Sequence, residues 1–155
     1  MENVEEATAR MAATADDFTA AIVGASDADL SRRPDAKNWS AKEIACHIRD
    51  VDELFMDRIK LILATEGARF TPVDPDPWVA TRQYQRNDVQ QALASFRALR
   101  EETLALLRGL TPEQWERGGT HITRGPLRIT DIVLHAVRHD DNHLDQLTRA
   151  LKGQA

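Results

Sequence analysis

The stretch "NWSAKEIACHIRD", residues 38–50, marks the start of a helix more firmly than any other segment of this chain. Ser40 stands at the N-cap and Glu43 three residues on, so each side chain can satisfy a backbone N–H that the first turn leaves unpartnered. Trp39 before the cap and Ile44 after it complete a hydrophobic staple. The apolar stripe then continues through Val51, Leu54 and Phe55, Ile59 and Ile62, the period of an amphipathic helix. The pattern predicts a helix over 41–66, stopped by Gly67. One residue on that inner stripe is not apolar: His47, in the second turn.

Three more segments of similar length carry the same period. Residues 2–24 place Val4, Met11, Phe18 and Ile22 on one face before Gly24. A helix starting near Asn87 or Asp88 and ending at Arg108 carries Val89, Leu93, Phe96, Leu99 or Arg100, Thr103 and Leu106 or Leu107, with Gly109 as its stop. The last helix is expected to begin at a Thr130 cap with Asp131 at N1, to run to about Lys152 and to stop at Gly153. Ser26 and Thr111 open two short helical turns between these segments. "RFTPVDPDPW", residues 69–78, is a proline-broken connection, and "ERGGTHITRGPLRI", residues 116–129, is a glycine-containing loop with at most a strand-like turn. No segment alternates in the manner of a strand. The expected fold class is all-α, a four-helix bundle, in a single domain over 1–155.

The net charge of −5 argues against non-specific nucleic-acid binding, which wants a basic face. No run approaches the 18 apolar residues that a membrane span needs, and the acidic N-terminus lacks the pattern of a signal peptide. The single cysteine, Cys46, excludes an internal disulfide and fits a reducing cytosol. It lies about 100° round the helix from His47 and reads as a small buried hydrophobe. These features lead to the expectation of a cytoplasmic protein with no nucleic-acid or membrane partner; the small-molecule substrate is an expectation of the enzyme reading below. Apolar outer positions such as Leu61, Leu104 and Leu134 suggest a homodimer.

The polar residues on the inner stripes set the functional question. "VLHAVRHDDNHLDQL", residues 133–147, holds three of the five histidines, His135, His139 and His143, at four-residue spacing on one helix face. His139 and His143 interrupt the stripe of Ile132, Ala136, Leu147 and Leu151, as His47 interrupts its own. Two long helices side by side would bring these three imidazoles together in an apolar interior, which is costly unless something accepts their lone pairs. A divalent metal ion does so, and histidines at i and i+4 can share one ion. A single histidine on an apolar face is ordinarily a satisfied core residue; two helices carrying three of them is the stronger pattern. His135 with His139 is a rival pair, set second because His135 matches His47 less well in height. His121 reads as an exposed loop residue, and Asp141 and Asp145, like Asp140, as largely solvated.

At this point "NWSAKEIACHIRDVDELFMDRI", residues 38–59, followed by "ITDIVLHAVRHDDNHLDQL", residues 129–147, resembles the DinB/YfiT-like superfamily of inferred metalloenzymes. The resemblance covers nearly the whole chain. It implies an up-down-down-up four-helix bundle, often dimeric, with one divalent metal ion held by His47, His139 and His143, while His135 is not a ligand. It also implies chemistry of a low-molecular-weight-thiol-dependent S-transferase, with metal-dependent hydrolysis or metal binding without catalysis as alternatives.

Such a site would take Zn, Ni or Fe, since imidazole does not choose among them. The nucleophile would be a water or the thiolate of a small thiol cosubstrate held by the ion. Ligand imidazoles donate their other N–H to a carboxylate or carbonyl, and Asp50 and Asp140 are the candidates for that role. Arg58 and Arg128, with Arg124, are candidates to meet an anionic substrate. A plain bundle whose histidines pair with carboxylates is the reading without metal.

Overall fold

The computed structural model describes residues 2–155. In chain order it runs α1 (Glu2–Ala21), α2 (Asp27–Ser31), α3 (Ala41–Ala64), β1 (Arg69–Phe70), α4 (Trp78–Thr81), a 3-10 turn (Tyr84–Arg86), α5 (Val89–Arg108), α6 (Pro112–Trp115), β2 (Gly118–His121), β3 (Gly125–Arg128) and α7 (Ile129–Leu151). The four long helices form the bundle.

The starts follow local chemistry. The Ser40 hydroxyl accepts from the N–H of Glu43, and the Glu43 carboxylate accepts from the N–H of Ser40. Asp88 caps α5, and Thr111 with Gln114 forms a second capping box. The last helix departs from the expected start. Arg128, not Thr130, is its N-cap, and Asp131 reaches back from N3 to accept from the Arg128 N–H. Thr130 lies inside the helix, where its hydroxyl donates to the carbonyl of Trp115.

Contacts along the helices fix their directions. Phe18 meets Phe96, and the Met11 carbonyl meets Arg100, so α1 and α5 run antiparallel. Asp52 meets Arg100 and Met56 meets Thr103, so α3 and α5 run parallel. His47 meets His143 and Phe55 meets His135, so α3 and α7 run antiparallel. Both α3 and α1 pack against α5 and α7, which places α1 and α3 on a diagonal. The topology is up-down-down-up, as the resemblance implies.

The apolar interior is in two parts. One contains Met11, Phe55, Ile59, Ile62, Leu104 and Ile132; the other contains Phe18, Ile44, Ile48, Leu93, Phe96 and Leu147. Leu104, expected on the outside, is buried in the first. A polar layer divides the two: Thr14, Asp52, Arg100 and Asp140 are each buried between them.

A small sheet, absent from the expected all-helical outline, ties two crossovers together. Strand β1 pairs parallel with β2, and β2 pairs antiparallel with β3. These strands are only two to four residues long, too short to alternate visibly. Gly119 is required here: a Cβ would come within 2.6 Å of the Ala68 carbonyl and 2.7 Å of the Phe70 ring. The sheet seats His121 beside one end of the α3–α7 groove.

Candidate metal centre

The cleft between α3 and α7 has a volume of about 350 Å³, and His47, His139 and His143 line it. Each offers one ring nitrogen, and those nitrogens all lie within 4.8 Å of one another. The Nε2 atoms of His47 and His139 are 3.1 Å apart. The i and i+4 spacing of α7 stacks two rings with centroids 4.3 Å apart, and His47 enters from the facing helix at 4.5 Å from His143. Trp39, fixed by the start of α3, covers the group at 4.8 Å from the His47 ring and 6.4 Å from that of His143. Phe55 closes the other side, 5.6 Å from His139.

Electrostatics keep His47 and His143 neutral. Burial, then the neighbouring His143 and His139, lowers the His47 pKa to about 3. Burial and His139 lower that of His143 to about 4. Neutral imidazoles hold their lone pairs free for an ion. The donor set passes a simple test of fit. No carboxylate lies among the three facing nitrogens, so without an ion the close His47–His139 pair has one proton to share and His143 Nε2 has no protein partner among the described residues. Tetrahedral zinc with Zn–N bonds of ~2.0–2.1 Å sets ligand nitrogens about 3.3 Å apart, near the 3.1 Å seen between His47 and His139.

The surrounding contacts differ from the expected ones. Asp50 does not reach His47. Its carboxylate accepts from Arg49 at 2.7 Å, Arg82 at 2.7 Å and the Tyr84 hydroxyl at 2.6 Å, and His47 Nδ1 is buried without a hydrogen bond. Asp140 Oδ1 lies 3.8 Å from His139 Nδ1, beyond hydrogen-bond length but the nearest carboxylate to that ring. Gln146, one turn below His143, was not singled out from sequence; it lies 2.7 Å from His143 Nδ1 and so leaves Nε2 to face the cleft. The signal was present as the i and i+3 spacing.

Asp140 is buried rather than solvated. Its Oδ2 accepts from Arg100 at 2.7 Å and from the Thr14 hydroxyl at 3.3 Å, and Arg100 also holds Asp52 at 2.7 Å. Asp141 and Asp145 are exposed and pair with Arg10 and Arg149.

His121 is not an exposed loop residue. It is buried at 4% exposure, in β2 rather than on a free loop, and it lines the cleft with Arg58 and Arg124. Arg128 does not face the cleft; its guanidinium is bound by Asp131 and Glu116 at the head of α7. His135 lies at the cleft wall against Phe55, its ring 6.5 Å from that of His139 and outside the converging set. Cys46 is fully buried beside Tyr84 and Val79, and burial pushes its thiol pKa up to about 11, so it supplies no nucleophile.

An up-down-down-up bundle with a histidine-lined cleft between its second and fourth long helices is a recognisable class. The chain superposes over its full length on 90% of the solved structure of YfiT from Bacillus subtilis, with a TM-score of 0.91 at 22% identity; that protein is described as a probable metal-dependent hydrolase with an unusual four-helix bundle topology. Residues 10–147 match the DinB superfamily, and the chain belongs to it. In sequence it is 23% identical over 129 residues to a protein of Oceanobacillus iheyensis, covering 83% of this chain and 74% of that one. It is 27% identical over 111 residues to YfiT itself, covering 71% of this chain and 62% of YfiT. Both relatives are provisionally named metal-dependent hydrolases. No helix among the described residues is long and apolar enough to cross a membrane.

Proposed function

We propose that this chain is a metal-dependent enzyme whose ion is held by His47, His139 and His143. The observation that carries the reading is the convergence of three imidazole nitrogens, from two helices, within 4.8 Å in an open cleft. When bound, a divalent ion on three protein ligands keeps a position open and makes a water or thiol a nucleophile near neutral pH.

The protein's own groups divide the remaining work. Gln146 orients His143 through its Nδ1. Trp39 and Phe55 shield the group from bulk water, and Val51 and Leu54 give the substrate an apolar floor. Hydrolysis of a small substrate is the first reading, in keeping with the names of the two relatives. Thiol transfer is the second, and one feature favours it. Among the described residues Asp76 is the only carboxylate that lines the cleft, and it is exposed, so no enclosed carboxylic acid stands ready to protonate a poor leaving group. A thiol held by His47, His139 and His143 through the ion would need no such acid to react with an electrophile.

The test is a paired assay on metal-loaded protein and a His143→Ala variant. One arm uses a panel of small esters and amides; the other uses an electrophile with a low-molecular-weight thiol. Turnover in one arm, lost with EDTA, restored by metal and absent from the variant, assigns the reaction. Turnover that survives both EDTA and the substitution would refute the metal-dependent reading.

A further inference from the structure

The cleft has a second polar end. Arg58 lies eleven residues after His47 on α3, about three helical turns and ~16 Å on, and therefore on the same face. Val51, Leu54 and Phe55 lie between them. Beyond Phe55 the cleft meets an annex of about 140 Å³, and Arg58, His121, Arg124 and His135 line both spaces.

Arg58 is anomalous. Every other arginine that is not fully exposed has a carboxylate within hydrogen-bonding distance: Arg10, Arg49, Arg97, Arg100 and Arg149. Arg58 is half-buried, its guanidinium 5.8 Å from the centre of the Phe70 ring, with no carboxylate partner among the described residues. Burial and the nearby charge of Arg124 both lower its pKa. A half-buried cation beside a second cation is unfavourable unless an anion joins them.

His121 completes the group. Its Nδ1 accepts from the backbone N–H groups of Thr123 and Arg124, each at 3.3 Å. The proton of the neutral ring is therefore on Nε2. That N–H has no protein acceptor among the described residues. Burial, then Arg58 and Arg124, lowers the His121 pKa, which marks the three as neighbours. The nearby Asp131 is taken by Arg128, and Asp76 lines the cleft but not the annex.

We propose that Arg58, Arg124 and the His121 Nε2–H form an anion-binding subsite at the end of the cleft away from the three-histidine group, selecting molecules whose carboxylate or phosphate is separated by an apolar segment from the atom that reacts. The subsite binds its anion without a metal; the link to a reacting atom rests on the proposed function. The same carboxylate chemistry could be carried by the substrate or by a thiol cosubstrate.

The experiment uses EDTA-treated, 15N-labelled protein titrated with sodium phosphate, with sodium chloride at matched ionic strength as control. Saturable shifts at the Thr123 and Arg124 amides, at least five-fold weaker in Arg58→Gln and in Arg124→Gln, are expected, with thermal melts to show that both variants fold. Shifts equal to those with chloride, or unchanged in both variants, would overturn the subsite. Propionate and 3-mercaptopropionate then separate the sources on metal-loaded protein. Equal affinities assign the anion to the substrate, and much tighter binding of the mercapto acid, dependent on Arg58, assigns it to the thiol. His143→Ala distinguishes the two proposals. It should keep the phosphate response, so metal uptake without a phosphate response sinks the subsite alone, and a phosphate response without metal uptake sinks the metal reading alone.

Discussion

His139 and Asp140 are consecutive residues of α7 with opposite surroundings. Asp140 turns inward, where Arg100, Thr14 and Asp52 satisfy one another inside the polar layer of the bundle. His139 turns to the cleft, where its Nε2 meets His47 and its Nδ1 has no hydrogen bond. Both groups sit between the two apolar clusters. The inward group is closed: each charge has its opposite within 2.7 Å. The outward group is convergent and incomplete. A buried polar group that is complete specifies packing, and one that lacks a partner calls for a ligand.

The largest effect should come from breaking the closed group. Arg100→Leu leaves Asp52 and Asp140 without their cation and should cost about 3–5 kcal/mol, read by urea unfolding. A loss under 1 kcal/mol would mean that the two carboxylates are protonated or hydrated rather than paired.

The open group should act through pH. In EDTA-treated protein, His47 and His143 resist protonation until about pH 3 and 4, whereas the unfolded chain takes up protons near 6.5. Between these values the unfolded state binds more protons, so stability is complete above 6.5 and falls with decreasing pH, by up to ~1.4 kcal/mol per pH unit per histidine. His47→Gln should flatten the slope of melting temperature against pH. An unchanged slope would place the titration elsewhere.

A smaller effect is expected at the start of α3. Ser40→Ala removes one half of the capping box and should cost about 1 kcal/mol. It should also weaken metal uptake slightly, since Trp39 and His47 flank that turn. The smallest effect is at Cys46. With its thiol pushed up to about 11 and fully buried, iodoacetamide at pH 8 should leave it unlabelled in native protein and label it on unfolding. Rapid native labelling would contradict its place in the core.

The four long helices were legible in the sequence because caps and stripes are local. Ser40 with Glu43, and the stripes of α3 and α7, sufficed to bring His47 toward His139 and His143. What lay beyond local reach was pairing across the chain. Arg100 was visible as a stripe position, but nothing local says that it meets Asp52 and Asp140. Asp50 at i+3 looked suited to His47, yet Tyr84 and Arg82 from a crossover claim it. His121 was taken as exposed because a four-residue strand containing two glycines does not alternate; its burial depends on pairing with Phe70. Arg128 was misplaced for a local reason: Asp131 accepts from both the Arg128 N–H and its guanidinium, which fixes Arg128 at the N-cap in place of the more familiar Thr130 start.

If the open group holds an ion, the protein should retain one through purification. Elemental mass spectrometry on protein purified without a histidine tag, beside a His143→Ala variant of confirmed fold, tests it most directly. Close to one equivalent of zinc, nickel or iron per chain is expected in the parent, with a large loss in the variant. No metal in the parent after reconstitution, or the same metal content in both, would contradict it and leave the histidines as a neutral polar seam.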